Sequence, residues 1–222
     1  MKKRLHDKKA GIAILISLII ISLADIIFRA TAVGLDAVLT TSNLGEQLAV
    51  IALAVTILIL TAKGKDRACY ICYGAWAAYF IFDQLFELPG MVTQAIHIFS
   101  LPNGTLIQGE IGLVIRIASM VAIVAIGALL TEYLVDGTIY NRAFNGLCIT
   151  TVLLLVVGIA ISLYDYIFVV TSNGFGSAFI GNSWDVMLDA FNNIYRIIMV
   201  FMLSFFAYDS AKAQLKKTNL TK

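Results

Sequence analysis

Charge is what this chain has least of. Only 14% of its 222 residues are Asp, Glu, Lys or Arg, where a soluble domain carries about 25%. Sixty per cent are hydrophobic, which excludes an ordinary soluble enzyme and a separate soluble domain between the apolar runs. Histidine occurs twice, as His6 and His97, and no Walker A loop, H-E-x-x-H, nucleophile elbow or glycine-rich dinucleotide turn is present. A soluble-type active site, a bound metal, a cofactor and a nucleic-acid partner are therefore not expected. Three cysteines, Cys69, Cys72 and Cys148, lie on or near apolar segments and make no disulfide framework. Lysine and arginine are missing altogether from residues 33–45, 88–108 and 171–184.

What the chain does have is long apolar runs. Stretches of about 18 or more apolar residues read as membrane-spanning helices, and six are found, at residues 10–32, 46–62, 68–87, 109–131, 144–170 and 185–208. The first follows a basic MKKRLHDKK and has the flank of a signal peptide, but its apolar part exceeds the usual ~7–15 residues. It reads as a retained helix. Thirteen of the sixteen Lys and Arg residues lie in the N-terminal tail, the 63–67 turn, the 132–145 loop or the C-terminal tail. By the positive-inside rule those parts face the cytoplasm. The expected fold is thus all-α, a polytopic integral membrane protein. Its single transmembrane domain over 1–222 comprises six helices in three hairpins, with both termini cytoplasmic, in the plasma (inner) membrane. Pro89 and Gly90 are expected to stop the third helix. Residues 91–101, mildly amphipathic and holding His97, would then lie along the outer interface or dip back into the bundle. Asn103-Gly104-Thr105 matches a glycosylation sequon, as does a second site at Asn219 in the tail.

The chain also repeats itself. ISLADIIFRATAVG at residues 21–34 recurs as ISLYDYIFVVTSNG at 161–174, a constant offset of 140 residues, and a fainter copy, FIFDQLFELPG, occupies 80–90. Each places an aspartate, Asp25, Asp165 or Asp83, near the outer end of an apolar run. A second pattern opens spans two and four: Gly45-Glu46 before Val50-Ile51 and Ala54, and Gly109-Glu110 before Val114-Ile115 and Ala118. Since every hairpin starts from the same side, these copies would be parallel repeats about an axis along the membrane normal.

Three arginines are unexplained by topology: Arg29, Arg116 and Arg196 lie within spans. So do Asp25, Asp83, Glu87, Glu110, Asp165 and Asp189, or they lie within a turn of the outer ends. Counting ~1.5 Å per residue puts all nine in the outer half of the bilayer. An ionised group in hydrocarbon costs at least a few kcal/mol, so these must face one another, a wet cavity or the headgroups. Asp25 and Arg29, at i and i+4, share a helix face and are expected to pair. Asp189, Asn192, Asn193 and Arg196 form a polar stripe two turns long, and Gly112, Arg116 and Ser119 line one face of span four. Six acids against three arginines leave acids that are either protonated through burial or attract a cation.

The candidate ligand-binding set is therefore Asp25, Arg29, Asp83, Glu110, Arg116, Asp165, Asp189, Asn193 and Arg196. It would be roofed by residues 88–108 and 171–184 and would serve transport of a small solute or cation. The competing reading is structural: buried ion pairs and polar side chains act as interhelical glue in a non-catalytic subunit or scaffold that grips a membrane or ATPase partner. A third reading takes Cys69-x-x-Cys72 as a thiol pair of a membrane oxidoreductase. Against it stand a reducing compartment and the lack of a nearby histidine. Small residues at helical spacing, Ala118, Ala122 and Ala125 with Gly158 and Ser162, read as close packing.

Overall fold

The computed structural model describes the backbone of residues 2–33, 42–99, 107–136, 142–173 and 183–220. Within these it describes side chains over 9–31, 44–65, 67–97, 111–132, 143–164, 166–168, 171 and 187–207. Among the described residues the chain is helical except for the turn at 63–65: α1 (Lys2–Val33), α2 (Ser42–Ala62), α3 (Asp66–Phe99), α4 (Ile107–Asp136), α5 (Arg142–Asn173) and α6 (Ser183–Leu220). A helix bonds each backbone N–H and C=O within its own segment, as an apolar solvent demands. Five of these helices hold stretches long and apolar enough to cross a membrane: Lys9–Thr31, Leu44–Ala62, Ile111–Glu132, Ala143–Phe168 and Met187–Ala207. Each falls within a few residues of an expected span.

The remaining expected span, 68–87 on α3, is not among them. Tyr70, Tyr73, Gly74, Trp76 and Tyr79 dilute its aliphatic residues, and Asp83-Gln84 cut the run short. A second expectation about α3 is overturned. Pro89 does not stop it: the helix runs through Pro89 and on to Phe99. Proline removes one donor and crowds the preceding turn, yet in membrane-type helices such a loss is absorbed when neighbouring groups take up the freed bonds. The acceptor that Pro89 leaves without its N–H is the Leu85 carbonyl, while the Thr93 hydroxyl donates to Pro89's own carbonyl at 2.9 Å. Residues 91–99 are thus a continuation of α3 rather than a separate interfacial segment. The sequon at Asn103 and residues 174–182 of the expected roof lie outside the described residues.

The chain divides into two compact units. The first comprises Met1–Cys72 and Gly158–Ile198. In it α1 packs against α2, and the reason is visible in their stripes. Gly11, Leu15, Leu18, Ser22 and Asp25 are buried along one face of α1 at spacings of four and three, as are Val50, Ala54 and Ile57 on α2. The other face of α1 exposes Ile16, Ile20, Leu23 and Ile27. A helix that is apolar on both its packed and its open face belongs in lipid. The link to α3 is tight. Gly64, at φ 68°, closes α2 with its N–H on the Thr61 carbonyl (3.1 Å) while the Lys65 N–H reaches the Leu60 carbonyl (3.0 Å). This paired bonding is the Schellman stop, and the left-handed residue in it is glycine because only glycine adopts a positive φ without backbone strain.

The second unit comprises Tyr73–Val157 and Met199–Lys222. Phe80 on α3, Met120, Ile123 and Ile126 on α4, Leu155 on α5, and Met199, Met202 and Leu203 on α6 are fully buried. α3 and α4 approach closely at Gly127, where a Cβ would meet Ile81 Cγ2 at 2.7 Å. Of the small residues expected to allow close packing on α4, Ala122 is buried and Ala118 and Ala125 are half-buried.

Candidate functional site

Both long copies of the repeat fold alike. Each lies on one long helix, the first on α1 and the second on α5. Leu23 and Leu163 are exposed, as are Ile27 and Ile167. The Thr31 and Thr171 hydroxyls each donate to the carbonyl four residues back, both at 2.8 Å. The fainter copy on α3 departs from this pattern, since its helix continues past Gly90.

Within the first unit, α1 brings together the pair that the spacing anticipated. Arg29 Nε donates to Asp25 Oδ2 at 2.9 Å. Asp25 is 3% exposed, and its other oxygen, Oδ1, is buried with no hydrogen-bond partner among the described residues. One turn earlier, Ser22 is 1% exposed, and its Oγ is likewise buried without a partner there. A buried polar atom left unbonded costs about 1–3 kcal/mol, so two of them on one helix face are an anomaly that needs a cause. Other hydroxyls avoid it locally. Those of Thr31, Thr56, Thr61, Thr93, Thr131, Thr151 and Thr171 each bond the carbonyl four residues back.

Facing this part of α1 is the start of α6. Phe28 and Phe191 meet edge to face, centroids 5.6 Å apart at 70°, a favoured aromatic geometry. The α6 stripe that follows is graded in burial: Asp189 exposed, Asn192 and Asn193 half-buried, Arg196 5% exposed. Asp189 and Arg196 are both engaged by neighbours. Asp165 belongs to the same unit through α5, but its side chain lies outside the described residues.

The second unit holds the rest of the expected set. Asp83, half-buried on α3, accepts from Gln84 Nε2 at 3.1 Å, and Gln84 is itself 2% exposed. Arg116, half-buried on α4, is engaged by neighbours, and its carbonyl receives the buried Ser119 hydroxyl at 2.7 Å. Glu110 lies in the first turn of α4, its side chain outside the described residues.

Sequence reasoning missed Ser22 and Gln84. The signal for Ser22 was available: it falls on the same stripe as Leu15, Leu18 and Asp25, and both long repeat copies keep it. Gln84 has no such periodic cue. The thiols read as packing. Cys69 is buried, its Sγ 3.5 Å from Thr61 Oγ1 and 3.8 Å from the Ile57 carbonyl. Cys72 is free as well, and Cys148 accepts a 3.4 Å bond from Ser204 Oγ. Among the described residues no group of three His, Cys, Asp or Glu is placed to hold a metal. No known protein family, curated protein or solved structure matches the chain.

Proposed function

We propose that this chain is a small multi-pass membrane protein of transport type, with a polar charged site in the outer half of the membrane for a small solute or cation. The observation that supports it best is Asp25. Its charge is balanced by Arg29 on the same helix, so the pair does nothing to tie α1 to another helix, which is what structural glue would do. Yet it is buried and leaves Oδ1 and the Ser22 hydroxyl unbonded. Buried polar capacity beyond what the fold uses is the mark of a binding site.

In this reading the first unit contributes Asp25, Arg29, Asp165, Asp189, Asn193 and Arg196. The helices form three hairpins, α3 serving as the sixth span. The basic 63–67 turn and both tails face the cytoplasm of a plasma (inner) membrane, where their lysines and arginines are favoured. The recurrence of residues 21–34 at 161–174, with Leu23 and Leu163 exposed alike and Ile27 and Ile167 likewise, favours descent from one duplicated hairpin.

The test is gentle extraction from native membranes followed by native mass spectrometry. The expected result is a stoichiometric small molecule or ion on the wild-type protein that is lost in Asp25→Asn and in Arg196→Gln. A co-purifying protein with no small molecule would replace this reading with that of a non-catalytic subunit docking a membrane or ATPase partner.

A further inference from the structure

The proposed site leaves open whether its ligand is a cation or an uncharged solute, and the inference drawn next rests on that reading. We infer that Ser22 Oγ and Asp25 Oδ1 together receive an uncharged group with N–H or O–H donors, such as a carboxamide, a ring N–H or a pair of hydroxyls, and not a metal cation.

Charge argues first. The Asp25 carboxylate already carries a guanidinium on Oδ2 at 2.9 Å. A cation seated on Oδ1 would lie ~3 Å from the carboxylate and ~5–6 Å from the guanidinium, so at any dielectric the repulsion cancels roughly half of its attraction. A neutral donor meets no such penalty and still finds an acceptor oxygen with full lone-pair capacity. Ligand number argues the same way. Hard cations take about six or more oxygens, whereas two unbonded oxygens sit here, and no metal-holding group of side chains occurs among the described residues.

The hydroxyl supplies the second, independent observation. Seven described threonines return their hydroxyls to their own helix, and Ser119 does so to the carbonyl three residues back. Ser22, though 1% exposed, does not. Residues at i and i+3 stand about 5–6 Å apart at Cβ, a spacing that one polar group with two hydrogen-bonding atoms can bridge. Ser22 offers a donor and acceptors, and Asp25 Oδ1 an acceptor, so the pair reads a group that donates to the acid while bonding the hydroxyl.

The experiment uses the full chain in lipid nanodiscs. Native mass spectrometry of protein extracted from its own membranes is run on the wild type, Ser22→Ala and Ser22→Thr. In parallel, thermal unfolding is followed with Na+, K+, Mg2+ or Ca2+ added alone. The expected result is an uncharged small molecule on the wild type whose occupancy falls roughly 5- to 100-fold in Ser22→Ala and is kept in Ser22→Thr, with none of the cations raising the melting temperature. A cation that stabilises the wild type but not Ser22→Ala would overturn the inference while leaving the binding site standing. A bound molecule indifferent to Ser22→Ala would do the same, moving the contact elsewhere. Neither adduct nor cation effect, leaving water alone on the two oxygens, would overturn both the inference and the proposed function.

Discussion

At the scale of single residues, the unusual position is Asp25. It continues the stripe on which Leu15 and Leu18 are buried, so helical periodicity alone carries a carboxylate into the interior. Arg29 makes that tolerable, because an i, i+4 pair neutralises within one helix whatever the neighbours do. The consequence is asymmetric. Asp25→Ala leaves the Arg29 guanidinium, with its side chain only 15% exposed, without its carboxylate. Breaking a buried pair from one side costs about 3–5 kcal/mol. Asp25→Ala with Arg29→Ala removes both charges and is expected to recover much of that loss. Retention of monodisperse protein after heating in detergent, read by size-exclusion fluorescence, checks this. A double variant as unstable as the single one would mean that the pair does not act as a unit.

Elements follow rules that are mostly local, and those rules were legible. Apolar runs predicted the membrane-length stretches of α1, α2, α4, α5 and α6 to within a few residues, since a helix in lipid is selected by length and composition. The exception is informative. At Pro89 the local rule says stop, and α3 continues ten residues beyond it. Whether a proline ends a helix depends on what else can take up the freed groups, and that is a property of the surroundings. The approach of α3 to α4 is equally non-local. At Gly127 an added Cβ would meet Ile81 Cγ2 at 2.7 Å, and that atom sits on a stiff β-branched side chain. Gly127→Ala is expected to destabilise by about 1–3 kcal/mol, and Ile81→Ala in the same chain to remove most of that penalty. Additive effects in a double-mutant cycle would show that the two helices adjust apart instead.

For the whole molecule, the distribution of lysine and arginine makes a claim about orientation that the helices alone do not. It is checked in a variant lacking Cys69, Cys72 and Cys148, carrying one cysteine at a time, Asp36→Cys or Lys65→Cys. An impermeant maleimide applied to intact cells is expected to label position 36 and spare position 65, the lysine just past the Schellman turn. The reverse pattern would invert the orientation and put the charged cluster in the inner half of the membrane.

By itself the amino-acid sequence determined the helical membrane character, the bounds of five spans and the Asp25–Arg29 pair. Each of these depends on composition or on spacing within one helix, which a linear string records. Only the tertiary structure decided that Asp25 and Ser22 are sealed from solvent with oxygens to spare, that Arg196 is buried while Asp189 is open, and that Gly127 marks the close passage of α3 and α4. Burial is a relation between segments far apart in the chain. The cost of an unbonded oxygen arises only once a neighbouring helix has excluded the water that would otherwise bond it.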